Sequence, residues 1–203
     1  MTAPMNSQSD AFGVIYRRRA IRAYKPDVVD EYRVRRLLDA AVHAPTAMDE
    51  QPWQFVIIQD RATLRRLSDH AKSMARAAEA LHGNVLKPPG ANGDGIRSRM
   101  ADPRFEIFYD APTLIVICAI PSSEFVTADC WLAAENLMLA ACADGLGTCC
   151  IGLAVPALNS PEGKAEIGIP AEMRAIAPII LGVPREEATP VPRRAAIIRT
   201  WIR

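Results

Sequence analysis

Residues 44–55, APTAMDEQPWQF, join two stretches of different hydrophobic period, and that change of period decides how the chain folds. Upstream, Asp30 reads as an N-cap before DEYRVRRLLDAAVHA. There Val34, Leu37, Leu38, Ala41 and Val42 recur at i, i+3, i+4, i+7 and i+8, which lays one apolar stripe along a helix. Pro45 ends that helix. Downstream, Trp53–Gln59 (WQFVIIQ) is aromatic and β-branched and predicts a strand. Pro45 and Pro52 stiffen the connection. Thr46, Asp49, Glu50 and Gln51 give it polar groups able to hydrogen-bond a planar heterocycle. The alternative is a plain helix-to-strand connection with Trp53 in the core.

Working outward, Ala11–Arg18 predicts a short helix after a loose, flexible polar leader over residues 1–10. Arg61–Leu81 is helical in pattern. Residues 83–103 (GNVLKPPGANGDGIRSRMADP) read as a long loop, of the kind that is often functional or mobile. Thr113–Ala119 is a continuous apolar run, read as a fully buried strand. Ala128–Ala143 is apolar nearly all round and predicts a central buried helix. Gly145 and Gly147 follow as helix cap and turn. Thr148–Ile151 and Ile176–Leu181 are two further strands, and a proline- and arginine-bearing tail runs from Pro184 to the end. Helices and strands do not alternate strictly, so the fold class is α+β, a sheet with helices around it.

Composition narrows the function. The chain has 203 residues, 50% of them hydrophobic, and a net charge of +1. A single domain over residues 11–203 accommodates this length. Near-neutral charge argues against nucleic acid and acidic membranes as partners. No apolar run is long enough to cross a bilayer. The N-terminal MTAPMNSQSD lacks a basic region followed by an apolar one, so no signal peptide and a cytoplasmic location are expected. Five cysteines in apolar surroundings without CxxC spacing read as reduced core thiols. With no ligand spacing to the histidines, no metal site is expected.

Three further constellations carry chemistry, each with a plainer alternative. Arg17–Arg22 (RRRAIR) holds four arginines and no acid, and planar guanidinium forks suit a phosphate dianion. By itself the run reads more readily as a solvated basic helix end. DGLGTCCIG, residues 144–152, contains glycines that let a backbone approach a ligand closely, or that only cap a helix and start a strand. It fits neither GxGxxG nor a Walker-type loop. Pro192-Arg193-Arg194 adds positive charge to a phosphate site or is a charged tail.

In this order the four elements resemble the nitroreductase family of FMN proteins. That family opens with RRS-x-R, follows with an APSxxNxQPWxF loop, then GLGTCWIG, then a strand ending in LGYP. This chain has Arg18-Arg19-Ala20-Ile21-Arg22, the 44–55 loop, GLGTCCIG at 145–152 and Leu181-Gly182-Val183-Pro184. The resemblance implies a nitroreductase-like sandwich, a mainly antiparallel central sheet flanked by helices, in an intertwined homodimer with FMN at the interface. It implies that Arg18, Arg19 and Arg22 hold the FMN phosphate at the Ala20 segment, helped by Arg193 or Arg194. Pro45, Thr46, Ala47 and Asp49 of the partner subunit would line the flavin and ribityl chain. Cys150, Ile151, Gly152 and Leu153 would run along the isoalloxazine.

The implied reaction is ping-pong. Hydride passes from NAD(P)H to flavin N5, and two electrons pass on to a nitroaromatic, a quinone or a similar small acceptor. No side-chain acid or base is assigned. Specialised relatives (a dehalogenase, a flavin reductase, a flavin-fragmenting enzyme) and a flavin-storage protein are the alternatives. Two departures stand out. Ala20 replaces the family serine and removes a hydroxyl donor. Asp49 replaces asparagine, and an ionised carboxylate accepts hydrogen bonds but cannot donate them. A negative charge beside the pyrimidine edge would disfavour reduced, anionic flavin.

Overall fold

The run Thr113–Ala119 (β2) organises the sheet, and every one of its residues is buried. The reason is its position between two neighbours and two layers. In the computed structural model, which describes residues 11–82 and 98–203, the sheet order is β1-β2-β4-β3. Here β1 is Gln54–Ile58, β3 is Gly147–Cys150 and β4 is Arg174–Gly182. All three pairings are antiparallel. Side chains alternate across a strand. Leu114, Val116 and Cys118 therefore enter one apolar cluster, and Ile115, Ile117 and Ala119 enter another.

Helices cover both clusters. On one face lie α2 (Glu31–Val42) and α4 (Val126–Ala143). On the other lie α3 (Arg61–His82), α5 (Val155–Leu158) and α6 (Pro161–Ile167). A short α1 (Ala11–Arg17) packs on α4. The α2 start is as expected, with the Asp30 carboxylate accepting from the Arg33 N–H at 2.9 Å. Arg33 then fastens α2 to the end of α4, donating to the Asp144 carboxylate at 2.8 Å and to its carbonyl at 2.6 Å.

Three expectations need correction. First, α4 is not buried all round. Asp129, Cys130, Ala133, Leu137 and Ala141 face inward, but Trp131 and Leu132 are 40% and 45% exposed. One chain supplies a single core for this helix, and its second apolar side has no cover from the described residues. Second, Gly147 is a strand residue rather than a turn. Third, residues 98–101 form a helical turn rather than loop, because Met100 is pulled into the core. The leader over residues 1–10 and the rest of the loop up to residue 97 lie outside the described residues. Among the described residues no helix is long and apolar enough to cross a membrane.

Candidate cofactor site

The arginine run is placed by backbone pairing. Ala20 bridges Thr148 in parallel register, and the Ile21 N–H donates to the Thr148 carbonyl at 2.9 Å. Farther along, Lys25 N–H donates to the Val183 carbonyl at 2.9 Å and Arg185 N–H to the Ala23 carbonyl at 3.0 Å. Residues 20–25 are thus pinned between β3 and the chain leaving β4. Gly147 makes the approach possible, since a Cβ there would sit 2.6 Å from the Ile21 side chain. Tyr24 closes the segment from below. Its hydroxyl donates to the Ile21 carbonyl at 2.6 Å, and burial above all, then Cys149, holds the phenol well above its ordinary pKa. It stays a neutral donor.

Around this segment lies a cavity of about 370 Å³ lined by Arg18, Arg19, Ala20, Arg22 and Arg193, with Glu186 and Glu187 on the tail side. Arg194 is not among its lining residues. Arg18 is steadied by Glu135 of α4 at 3.2 Å. Arg19 donates to the carbonyls of Tyr16 and Arg18 at 2.6 and 2.8 Å, while its buried Nε has no acceptor. Arg22 lies 5.8 Å from the Tyr109 ring centroid. Arg99 shares that ring at 5.1 Å and stacks on Phe105 at 4.6 Å.

This aromatic shelf was not read from the sequence. Its parts are scattered, and the only local signal is a Tyr-Asp pair before a strand. Tyr109 and Asp110 take φ of 55° and 53°, a conformation unusual for such residues, at the turn that presents the ring. The buried Lys72 ammonium anchors the same segment, donating to the Phe105 carbonyl at 2.8 Å.

The glycine-rich stretch meets the arginines directly. Gly145, at φ 72°, ends α4, and β3 then carries Thr148 to Ala20. Cys149 faces the cluster holding Tyr24, and Cys150 faces the opposite one, 3.6 Å from the Met138 sulfur. Burial, then Cys149, pushes the Cys150 thiol up to about 11, so it is not a thiolate near neutrality. Ile151 donates its N–H to the Pro178 carbonyl at 2.9 Å, and Gly152–Ala154 turn as a short 3-10 helix.

The proline-rich loop lies elsewhere. Met48, Asp49 and Gln51 take φ of 52°, 55° and 45°, three left-handed side-chain-bearing residues in four positions. Such strain gathers at functional sites. The Asp49 carboxylate accepts from the Gln51 amide at 2.7 Å, and Glu50 accepts from the Ser123 hydroxyl at 3.3 Å. The Ala47 N–H donates to Asp129, one turn into α4, at 3.3 Å. Arg18 meets α4 six residues later at Glu135, and the Val14 carbonyl, in the middle of α1, accepts from the Cys142 thiol at 4.0 Å. At 1.5 Å per residue these stations lie about 9 and 20 Å beyond Asp129 along the axis. Pro45, Thr46, Ala47 and Asp49 make no hydrogen bond or ion pair to the arginine segment or to residues 150–153 among the described residues. Among the described residues no polar contact joins these two parts of the predicted site.

A small antiparallel sheet between two helical layers, with a basic segment stitched to a glycine-rich strand, defines the class of protein. Residues 15–182 match the model of the nitroreductase family. The chain is 31% identical over 179 residues to the 5,6-dimethylbenzimidazole synthase of Rhodospirillum rubrum, covering 86% of this chain and 82% of that one. It is 29% identical over 203 residues to an NADH dehydrogenase of Thermus thermophilus, covering 89% and 90%. The structure of a Bacteroides fragilis nitroreductase with bound FMN superposes with a TM-score of 0.76 at 24% identity, covering 95% and 98%. The chain belongs to the nitroreductase family.

Proposed function

We propose that this protein is an FMN-dependent oxidoreductase that works as a homodimer, moving two electrons from NAD(P)H to a small acceptor such as a nitroaromatic or a quinone. The observation that carries the reading is the convergence of Arg18, Arg19, Arg22 and Arg193 on one cavity beside β3. A phosphate dianion fits this donor set, and the Arg19 Nε that lacks an acceptor marks unfilled anion-binding capacity. Bound FMN supplies the electron transfer, and the chain supplies binding, orientation and electrostatics. Arg18, Arg19 and Arg22 hold the phosphate with Arg193, with Arg194 as the spare cation of the tail. The Ala20 backbone takes the serine's place. Cys150, Ile151, Gly152 and Leu153 line the ring, and Pro45, Thr46, Ala47 and Asp49 come from the partner.

The dimer is supported by what one chain leaves uncovered. The loop and the arginines meet α4 at different stations, which agrees with a site completed by a second copy. Trp131 and Leu132 on α4, and Phe12 and Tyr16 on α1, are exposed. The tail beyond Thr189 has no regular structure, and its Ile197 and Trp201 are 93% and 67% exposed. Large exposed apolar side chains on these elements support the reading of a protein interface. Five unpaired thiols suit a reducing, cytoplasmic setting.

A second reading, a flavin enzyme specialised for one substrate, is favoured by the identity to the R. rubrum synthase. One experiment separates the readings: an absorbance spectrum of the purified protein before and after anaerobic NADH and NADPH. Bleaching of a bound flavin, with recovery on a nitroaromatic or quinone, is expected. A bound flavin that ignores both nicotinamides selects the specialised or storage reading. A protein that cannot be loaded with FMN refutes both.

A further inference from the structure

Asp129 is 3% exposed, in the first turn of the largely apolar α4. One carboxylate oxygen accepts from the Ala47 N–H at 3.3 Å. The other is sealed from solvent and has no hydrogen-bond partner. Its helix neighbours Cys130 and Ala133 are fully buried. Burial and then the Asp129 charge push the Cys130 thiol up to about 12. A helix dipole favours an acid in a first turn, but that accounts for a solvated acid and not for a sealed one. A carboxylate buried with one hydrogen bond costs stability that an apolar side chain of similar volume would not. The hydrogen bond from the Ala47 N–H is the one polar contact of Asp129 among the described residues that offsets this cost.

What it holds explains it. Residues 46–51 contain the three left-handed residues Met48, Asp49 and Gln51, and a strained segment keeps its shape only where its surroundings impose one. Asp129 is the only side chain of the described residues outside the loop that hydrogen-bonds its backbone. We infer that Asp129 is a positioning residue for the 46–51 loop, retained at the expense of stability to present Thr46, Ala47 and Asp49 to a bound group. Its second oxygen is an acceptor for a donor supplied by the loop or by what the loop grips. For the identity of that group the inference rests on the FMN reading. The anchoring itself does not.

The experiment compares Asp129→Leu and Asp129→Asn with the unaltered protein. Asn keeps an acceptor for Ala47, and Leu does not. Two measurements are made on each: hydrogen exchange of the amides in residues 44–53 without added flavin, and FMN affinity from the quenching of flavin fluorescence. Expected for Asp129→Leu are a Tm equal to or above that of the unaltered protein, exchange at Ala47 at least ten-fold faster, and FMN binding at least ten-fold weaker. Asp129→Asn restores both to within about three-fold. A Leu variant with unaltered exchange at Ala47 overturns the inference. So does one that melts well below the unaltered protein while binding FMN equally well per folded molecule, since Asp129 would then be a structural residue. If the unaltered protein takes up no FMN while the exchange results hold, the flavin reading fails and the loop anchor stands.

Discussion

Gly147→Ala should drive a methyl group into the Ile21 side chain. The added Cβ would lie 2.6, 2.8 and 2.9 Å from three Ile21 carbons, well inside ordinary contact. Ile21 cannot simply retreat, because its N–H is bonded to the Thr148 carbonyl at 2.9 Å and Ala20 is paired with the same residue. Overpacking of this kind costs about 1–3 kcal/mol. For a chain of this size each kcal/mol moves Tm by about 2–4 °C, so a fall of roughly 2–12 °C is expected by scanning calorimetry. The strain falls on the segment that carries Arg18, Arg19 and Arg22, so affinity for FMN should drop more than the loss of folded protein accounts for. Inorganic phosphate, titrated by calorimetry, gives a second readout that does not depend on the flavin ring. An Ala variant with unaltered Tm and unaltered anion affinity would refute the claim that close packing of β3 against Ile21 aligns the arginines.

Three other outcomes are expected. Asp49→Asn should raise the midpoint potential of the bound flavin by about 10–30 mV, the two-electron equivalent of roughly 0.5–1.4 kcal/mol; an unchanged redox titration sinks the assignment of Asp49 to the pyrimidine edge. If the proposed homodimer forms, removal of residues 190–203 should convert it to monomer or aggregate, read by light scattering, and abolish flavin retention, read by absorbance; a truncated, flavin-loaded dimer would argue against the tail as interface. Stability should fall as pH rises from about 9 toward 11–12. The buried thiols of Cys118, Cys130 and Cys150 hold their protons to about 12, 12 and 11, whereas the unfolded chain releases them earlier. Between those values the unfolded state binds fewer protons than the native one, so the contribution present below pH 9 is lost. Urea midpoints across this window check the sign, and Cys118→Ala should flatten the slope.

The resemblance of the arginine run, the QPW loop and the glycine-rich stretch in order was legible because each is a local motif with fixed spacing. The Asp30 cap, the α2 stripe and the β2 run were legible for a similar reason. Period and capping chemistry act within a few residues. Harder to read was α4, where an apolar helix looks the same whether its second side meets its own core or another chain. Met100 inside a Gly- and Pro-rich stretch gave no hint that it would anchor a helical turn. Asp129 carries no local signal, since an acid in an apolar helix has no meaning until its neighbour is known.

Local sequence carries the set of elements and the chemistry available, namely strands, amphipathic faces, a run of cations and a polar, proline-stiffened loop. The tertiary structure alone decided which of these meet. Residues 20–25 lie against β3 because backbone donors and acceptors more than a hundred positions apart pair there. The same tertiary arrangement separates the loop from the arginines along α4 and sets a carboxylate beneath the loop. Local periodicity encodes which way a side chain faces, but the partner it faces is fixed only when the whole core closes.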